Sequence, residues 1–180
     1  NSYLLSMKKC ILVLTIFLSA FVGFAQINPV SEDSLANRLK LNEINLRVES
    51  GSANEEDYYN RGVLHAFFGN ESSALEDYSM AVLKNPDFDL PYINRGSIYQ
   101  KQEQFELALN DFNAAIKLDK LPSIALNNRG YLYQNWNKLD QAVKDYEKAI
   151  KIDPSYTQPY MNLVDVYQSQ NNNDAAFEVL

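Results

Sequence analysis

The sequence predicts an all-α chain: a superhelical solenoid of stacked antiparallel helix hairpins. Three observations carry this. Asn-Arg-Gly recurs with its glycine at Gly62, Gly96 and Gly130, each 34 residues after the last. Frames of that length starting at Glu55, Asp89, Ser123 and Thr157 align without a gap, and each holds two stretches with apolar and small residues at helical spacing. Between those stretches lie GNES, EQFE, NKLD and NNND, which are turn formers with N-cap candidates. One such hairpin cannot bury its apolar face, whereas stacked copies can.

Taken in order, residues 1–25 contain Lys8 and Lys9, then a 14-residue apolar run from Ile11 to Phe24, then the small residues of GFA. This is the layout of a secretory signal peptide cleaved after Ala25, which places the mature chain in the periplasm or outside the cell. The run is shorter than the roughly 20 residues that span a bilayer, so a retained membrane anchor is the lesser alternative. Cys10 falls inside this segment, and the mature chain therefore folds without disulfides. Residues 26–54 form a linker and a capping helix from about Ser34 to Glu49, built on Leu35, Leu39, Ile44 and Val48 and ended by SGS. Asn54 caps the next helix, where Glu55, Glu56 and Asp57 suit its positive end. Three full repeats follow at 55–88, 89–122 and 123–156, and an unfinished fourth at 157–180. Helices are expected at about 55–68, 72–84, 89–102, 106–118, 123–136, 140–152 and 157–170. The fourth frame stops inside its second helix, so at least one more helix is expected beyond Leu180.

The balance of charge narrows the function. A net charge of −7 and no run of Lys or Arg argue against a nucleic-acid surface, which needs a basic stripe to neutralise phosphates. His65 is the only histidine, so zinc sites and nucleophile–histidine pairs lack their parts. The expectation is a non-enzyme with no cofactor and no metal. Trp136, beside a turn, serves either to pack that turn or to anchor a partner.

The frames resemble the tetratricopeptide repeat. Position four holds Tyr58, Tyr92, Leu126 and Tyr160; position eight is the glycine; position eleven holds His65, Tyr99, Tyr133 and Tyr167. Ala74, Ala108, Ala142 and Ala176 occupy position twenty, Tyr78, Phe112, Tyr146 and Leu180 position twenty-four, and Pro86 and Pro154 position thirty-two. The pattern departs at Val164 for glycine, Lys120 for proline and His65 for tyrosine. The resemblance implies a right-handed stack of hairpins whose inner, concave surface binds a protein or peptide partner.

Within that frame, position seven is Arg61, Arg95 and Arg129 wherever position twenty-three is Asp77, Asp111 and Asp145. In the fourth copy Leu163 faces Val179 instead. Charge accompanies charge and apolar accompanies apolar, so each repeat is expected to carry a structural Arg–Asp pair. Position six is Asn60, Asn94, Asn128 and Asn162. In superhelical members of the family an asparagine ladder there grips an extended peptide backbone, and an amide both donates and accepts. The alternative is that these amides bond within the fold. The remaining groove candidates are Tyr59, Ile93, Ser97, Gln100, Asn127, Tyr131 and Gln134, a neutral and amide-rich set. Chaperone-binding members hold a terminal carboxylate with basic residues at positions two and five; neither position is basic here, so an acidic tail is not the expected ligand. Two uses stay open: a non-catalytic interaction scaffold of the cell envelope, or the front of a longer envelope enzyme or sensor whose working domain follows Leu180.

Overall fold

The computed structural model of the protein describes residues 32–179, and among these every regular element is a helix. In chain order they are α1 (Glu32–Glu49), α2 (Glu55–Phe67), α3 (Glu71–Lys84), α4 (Asp89–Lys101), α5 (Phe105–Leu118), α6 (Pro122–Asn135), α7 (Leu139–Ile152), α8 (Gln158–Ser169) and α9 (Asn173–Glu178). The expected signal peptide lies outside the described residues. None of the described helices is long and apolar enough to cross a membrane. The chain divides into two units, the first ending at Asn42 and the second beginning at Glu43. The described part of the first is the N-terminal portion of α1. The second holds the hairpins, α2–α3, α4–α5, α6–α7 and α8–α9, each pair packed antiparallel and each pair packed on the next.

Glycine at position eight is set by the ring that crosses it. A Cβ on Gly62 would stand 2.7 Å from the Tyr78 ring, one on Gly96 2.9 Å from Phe112, and one on Gly130 2.7 Å from Tyr146. Helical glycine costs about 1 kcal/mol relative to alanine, which the close helix crossing offsets by burying those rings completely or nearly so. Position ten completes the core, a role its varied residues concealed in the sequence. Ile98 packs on Ala74 and Tyr78, Leu132 on Ala108 and Phe112, and Val166 on Ala142 and Tyr146. Each first helix thereby plugs into the preceding second helix. Burial of one such side chain is worth roughly 1.5–3 kcal/mol.

The turn inside each hairpin also repeats. Gly69, Glu103, Asn137 and Asn171 all take positive φ. The next residue closes a backbone bond to the helix it leaves: Asn70 N–H to His65 O at 2.8 Å, and likewise Gln104 to Tyr99, Lys138 to Tyr133 and Asn172 to Tyr167. That is the Schellman termination. It corrects the N-cap expectation for these turns. Asn70, Gln104 and Lys138 sit at ψ near 60–65°, away from the extended backbone that aims a side chain at the helix amides, and none makes a side-chain cap. Asn172 does accept from Ala175 N–H, and Asn54 forms a full capping box with Asp57. Where Lys120 replaces proline, α5 ends in left-handed Asp119 and Pro122 opens α6 at its first turn.

The arginines bind in both directions along the stack. Arg95 Nε and Nη2 donate to the two oxygens of Asp111 at 2.9 and 2.8 Å, and Arg129 does the same to Asp145 at 2.7 and 2.8 Å. Arg61 Nη2 reaches Asp77 Oδ1 at 2.6 Å and its Nε reaches Oδ2 at 2.9 Å. In the other direction Nη1 of Arg61, Arg95 and Arg129 donates to Asn45 Oδ1, Ser79 Oγ and Asn113 Oδ1. Each arginine thus ties its own hairpin to the helix before it. Asn45 stands 34 residues before Ser79, so the end of α1 occupies the place of a second helix in an earlier repeat. Arg47, bonded to Asp57 at 2.8 Å, adds a second tie there. In the fourth hairpin Leu163 and Val179 join the Tyr146 cluster instead.

Candidate functional site

The first helices α4, α6 and α8 touch one another directly across successive repeats. Side chains at positions five, six, nine and twelve lie on the face along which these helices meet. The structure sorts the sequence candidates on this face into two groups.

Several are consumed by the fold. Ile93 is buried against Ala115 and Ala125. Asn127 and Asn162 are also buried, and Asn162 Nδ2 donates to Asn127 Oδ1 at 2.9 Å, from position six of one repeat to position five of the repeat before. Asn94 Nδ2 makes the equivalent, longer bond to Tyr59 OH at 3.4 Å. Burial pushes the Tyr59 hydroxyl above its ordinary pKa despite that bond. Gln134 accepts the hydroxyl of Tyr146 at 2.8 Å. Asn60 is half-buried on α2, ahead of which no described repeat stands.

The others converge. Ser97, Gln100, Asn128 and Tyr131 line one open cavity of about 310 Å³ between α4 and α6, together with Lys101 and Asn135. Those last two were not legible as site residues. They occupy position thirteen, at the end of the first helix, outside the positions that mark the groove in the repeat frame. Tyr131 is 48 % exposed and borders the cavity. Ser97 Oγ donates to Ile93 O at 2.8 Å, so its oxygen faces outward as an acceptor. Lys101 forms an ion pair with Glu71, whose other oxygen accepts from Gln102 Nε2 at 3.2 Å. The bond from Lys101 holds the Glu71 carboxyl below its usual pKa, so the pair stays charged and locally neutral. The cavity can therefore offer hydrogen bonds and an aromatic face, but little net charge.

His65 stands apart from the cavity, with Nε2 3.8 Å from Asp77 Oδ2. Trp136 stacks on Phe105 with ring centroids 5.5 Å apart, and Lys138 Nζ lies 3.2 Å above its ring, so it closes a turn.

Built of tandem helix hairpins with this core, the chain has the all-α solenoid fold of tetratricopeptide-repeat proteins. Residues 91–120 and 123–156 match the family model of that repeat. Among solved structures the fold is similar to a crystal structure of MamA, with 21 % identity and a TM-score of 0.70 over 77 % of this chain and 81 % of that one. It is also similar to the first TPR of Spaghetti (RPAP3) bound to the HSP90 peptide SRMEEVD, at 24 % identity and a TM-score of 0.61, over 65 % of this chain and 93 % of that one. The second TPR domain of human RPAP3, in complex with the HSP70 peptide SGPTIEEVD, matches at 28 % identity and a TM-score of 0.57, over 61 % and 91 %. No curated protein matches the chain in sequence.

Proposed function

We propose that the protein is a non-catalytic scaffold that receives an extended peptide segment of a partner protein on the inner face of its first helices. The observation that carries this is the α4–α6 cavity. Amide, hydroxyl and aromatic groups converge there on an open groove, with no nucleophile–base pair beside them. Amides recognise a main chain whatever its side chains, because each can donate and accept. Two structural neighbours were solved with peptides in complex, which supports the same use of the fold. The lysine-led apolar run and GFA site support export of the scaffold to the periplasm or the exterior after cleavage at Ala25.

The test is selection of binders from a random peptide library on the immobilised protein, followed by mapping of a selected peptide by amide chemical shifts. The expected peptide perturbs residues of α4 and α6 that face the cavity. A library without enrichment, or a peptide that perturbs only the second helices, overturns the reading.

A further inference from the structure

One charge stands alone on the face along which the first helices meet. At positions five, six, nine and twelve of the four repeats, Asp165 is the only acidic or basic residue. It is exposed on α8 and makes no ion pair or hydrogen bond with the described residues. The chain supplies no cation for it there. No Lys or Arg follows Lys151, so α8 carries neither. The single base on α6 is Arg129, bound to Asp145, and Lys101 on α4 is bound to Glu71. The surroundings of Asp165 are those that a basic side chain uses. α8 packs on α6 as α6 packs on α4. Ser97 and Tyr131, at position nine of α4 and α6, border one cavity, and Tyr131 and Asp165 are the same pair one repeat further on. Burial first, then the Tyr131 hydroxyl and the Asp165 carboxylate, push the Tyr146 hydroxyl above its ordinary pKa, so both groups stand around that one atom. Met161, one helical turn before Asp165 on α8, is 60 % exposed. Two partly exposed apolar side chains therefore accompany an unpaired carboxylate.

We infer that Tyr131, Met161 and Asp165 form a subsite for one basic side chain, arginine before lysine, of the peptide that the scaffold receives. The inference rests on the proposed scaffold function and names the residue class its partner carries. A long basic side chain lays its methylene stem on apolar surface and keeps its charged head in water. Met161 suits the stem, being unbranched and adaptable. The Tyr131 ring attracts the cation, and Asp165 takes the head through charge-assisted hydrogen bonds. Arginine is favoured because a planar guanidinium both stacks on a ring and bonds a carboxylate through two N–H groups, whereas an ammonium is a hydrated point charge. Packed helices lie roughly 8–10 Å apart, and an extended chain rises about 3.3 Å per residue. The basic residue therefore falls about three residues from the one seated in the α4–α6 cavity.

A random peptide library is selected in parallel on the wild type and on Asp165→Asn, and the wild-type consensus peptide is then labelled with fluorescein and titrated. Every variant is checked for helix content and cooperative melting. Arginine or lysine is expected at one fixed position on the wild type and at no fixed position on Asp165→Asn. Asp165→Asn and Tyr131→Leu should each weaken the consensus peptide about two- to five-fold, the size of one exposed ion pair or cation–π contact. Glu147→Gln removes the same charge from an exposed site on the second helix α7, and should bind as the wild type does. Asp165→Lys should bind the peptide whose basic residue is replaced by glutamate more tightly than the wild type binds it. That exchange separates a local pair from attraction by net charge. A basic residue enriched equally on Asp165→Asn, or binding weakened as much by Glu147→Gln, overturns the subsite and leaves the scaffold standing. A consensus peptide that maps to α4 and α6 without a fixed basic residue does the same, and absence of any selected peptide overturns both.

Discussion

Asn162 donates to Asn127 Oδ1 at 2.9 Å, across 35 residues of sequence and from one hairpin to the one before, with both side chains buried. An amide pair of this kind is a register device. It forms only when α8 sits at one height against α6, and a slip would leave both groups without partners in the core. Replacing Asn162 by alanine leaves Asn127 Oδ1 buried and unpaired, at a cost of about 1–3 kcal/mol. Asn128→Ala strands the Asn127 Nδ2 donor instead, whose bond to Asn128 is longer at 3.3 Å, and should cost less, about 1 kcal/mol. Urea denaturation of the two variants checks the contrast, and equal losses would mean that Asn162 holds no special place in the stack.

The ion pairs give a sharper stability test. Asp145 is buried, and Arg129 is mostly so. Asp145→Ala strands the Arg129 guanidinium, whose pKa the Asp145 hydrogen bond now raises, and should cost about 3 kcal/mol, the low end for a broken buried pair. The fourth hairpin already shows another solution, Leu163 with Val179. Arg129→Leu with Asp145→Val together should therefore cost clearly less than Asp145→Ala alone. A double variant no better than the single one would contradict a simple exchange of polar for apolar pairing.

Backbone conformation offers a gain. Glu103 is held at φ 58°, in the place where the first hairpin has Gly69 at φ 80°. A left-handed non-glycine residue costs roughly 1–2 kcal/mol, less the extra chain entropy that glycine brings to the unfolded state. Glu103→Gly should raise stability by about 0.5–1 kcal/mol, read as a higher melting temperature. Gly130→Ala should do the reverse, because its Cβ would meet the fully buried Tyr146 ring at 2.7 Å.

Alkaline pH should loosen the core. Burial pushes the Tyr78 hydroxyl up from 10.0 to about 12, and burial raises Tyr146 as well. The folded state therefore holds these protons more tightly than the unfolded chain does. Their contribution is complete below pH 10.0 and is lost as pH rises toward about 12. Circular dichroism against pH should show unfolding within that window, and Tyr78→Phe should move it upward. Unchanged behaviour in the variant would place the alkaline transition elsewhere.

The sequence made the hairpins legible because packing repeats itself in register: small residues recur where rings cross, and the rings recur with them. The Arg–Asp relation was legible because the fourth copy changes both partners together. The amide bond between repeats was hidden for a definite reason. It links position six to position five of another frame, so aligning the frames column by column separates its members. Ile98, Leu132 and Val166 were missed as core for a milder reason, since any aliphatic side chain fills that hole and no one residue type marks the column. Lys101 and Asn135 entered the site through the contact between α4 and α6, which no single frame contains.

The charge of the groove allows one last test against the peptides seen in the structural neighbours. SRMEEVD carries two glutamates, an aspartate and a terminal carboxylate. To hold them, the first helices would need basic residues facing inward. Position two offers Glu56, Leu90, Ile124 and Gln158, and position five Tyr59, Ile93, Asn127 and Met161. The arginines at position seven are turned away and bound to Asp77, Asp111 and Asp145. Lys101 is held by Glu71. With a net charge of −7 the chain also repels an acidic peptide at long range, and more so at low salt. Fluorescence anisotropy with labelled SRMEEVD should therefore show no saturable binding, at low or at physiological ionic strength. Saturable binding that weakens with added salt would mean that Lys101 leaves Glu71 to meet the ligand, and that the groove is cationic when occupied.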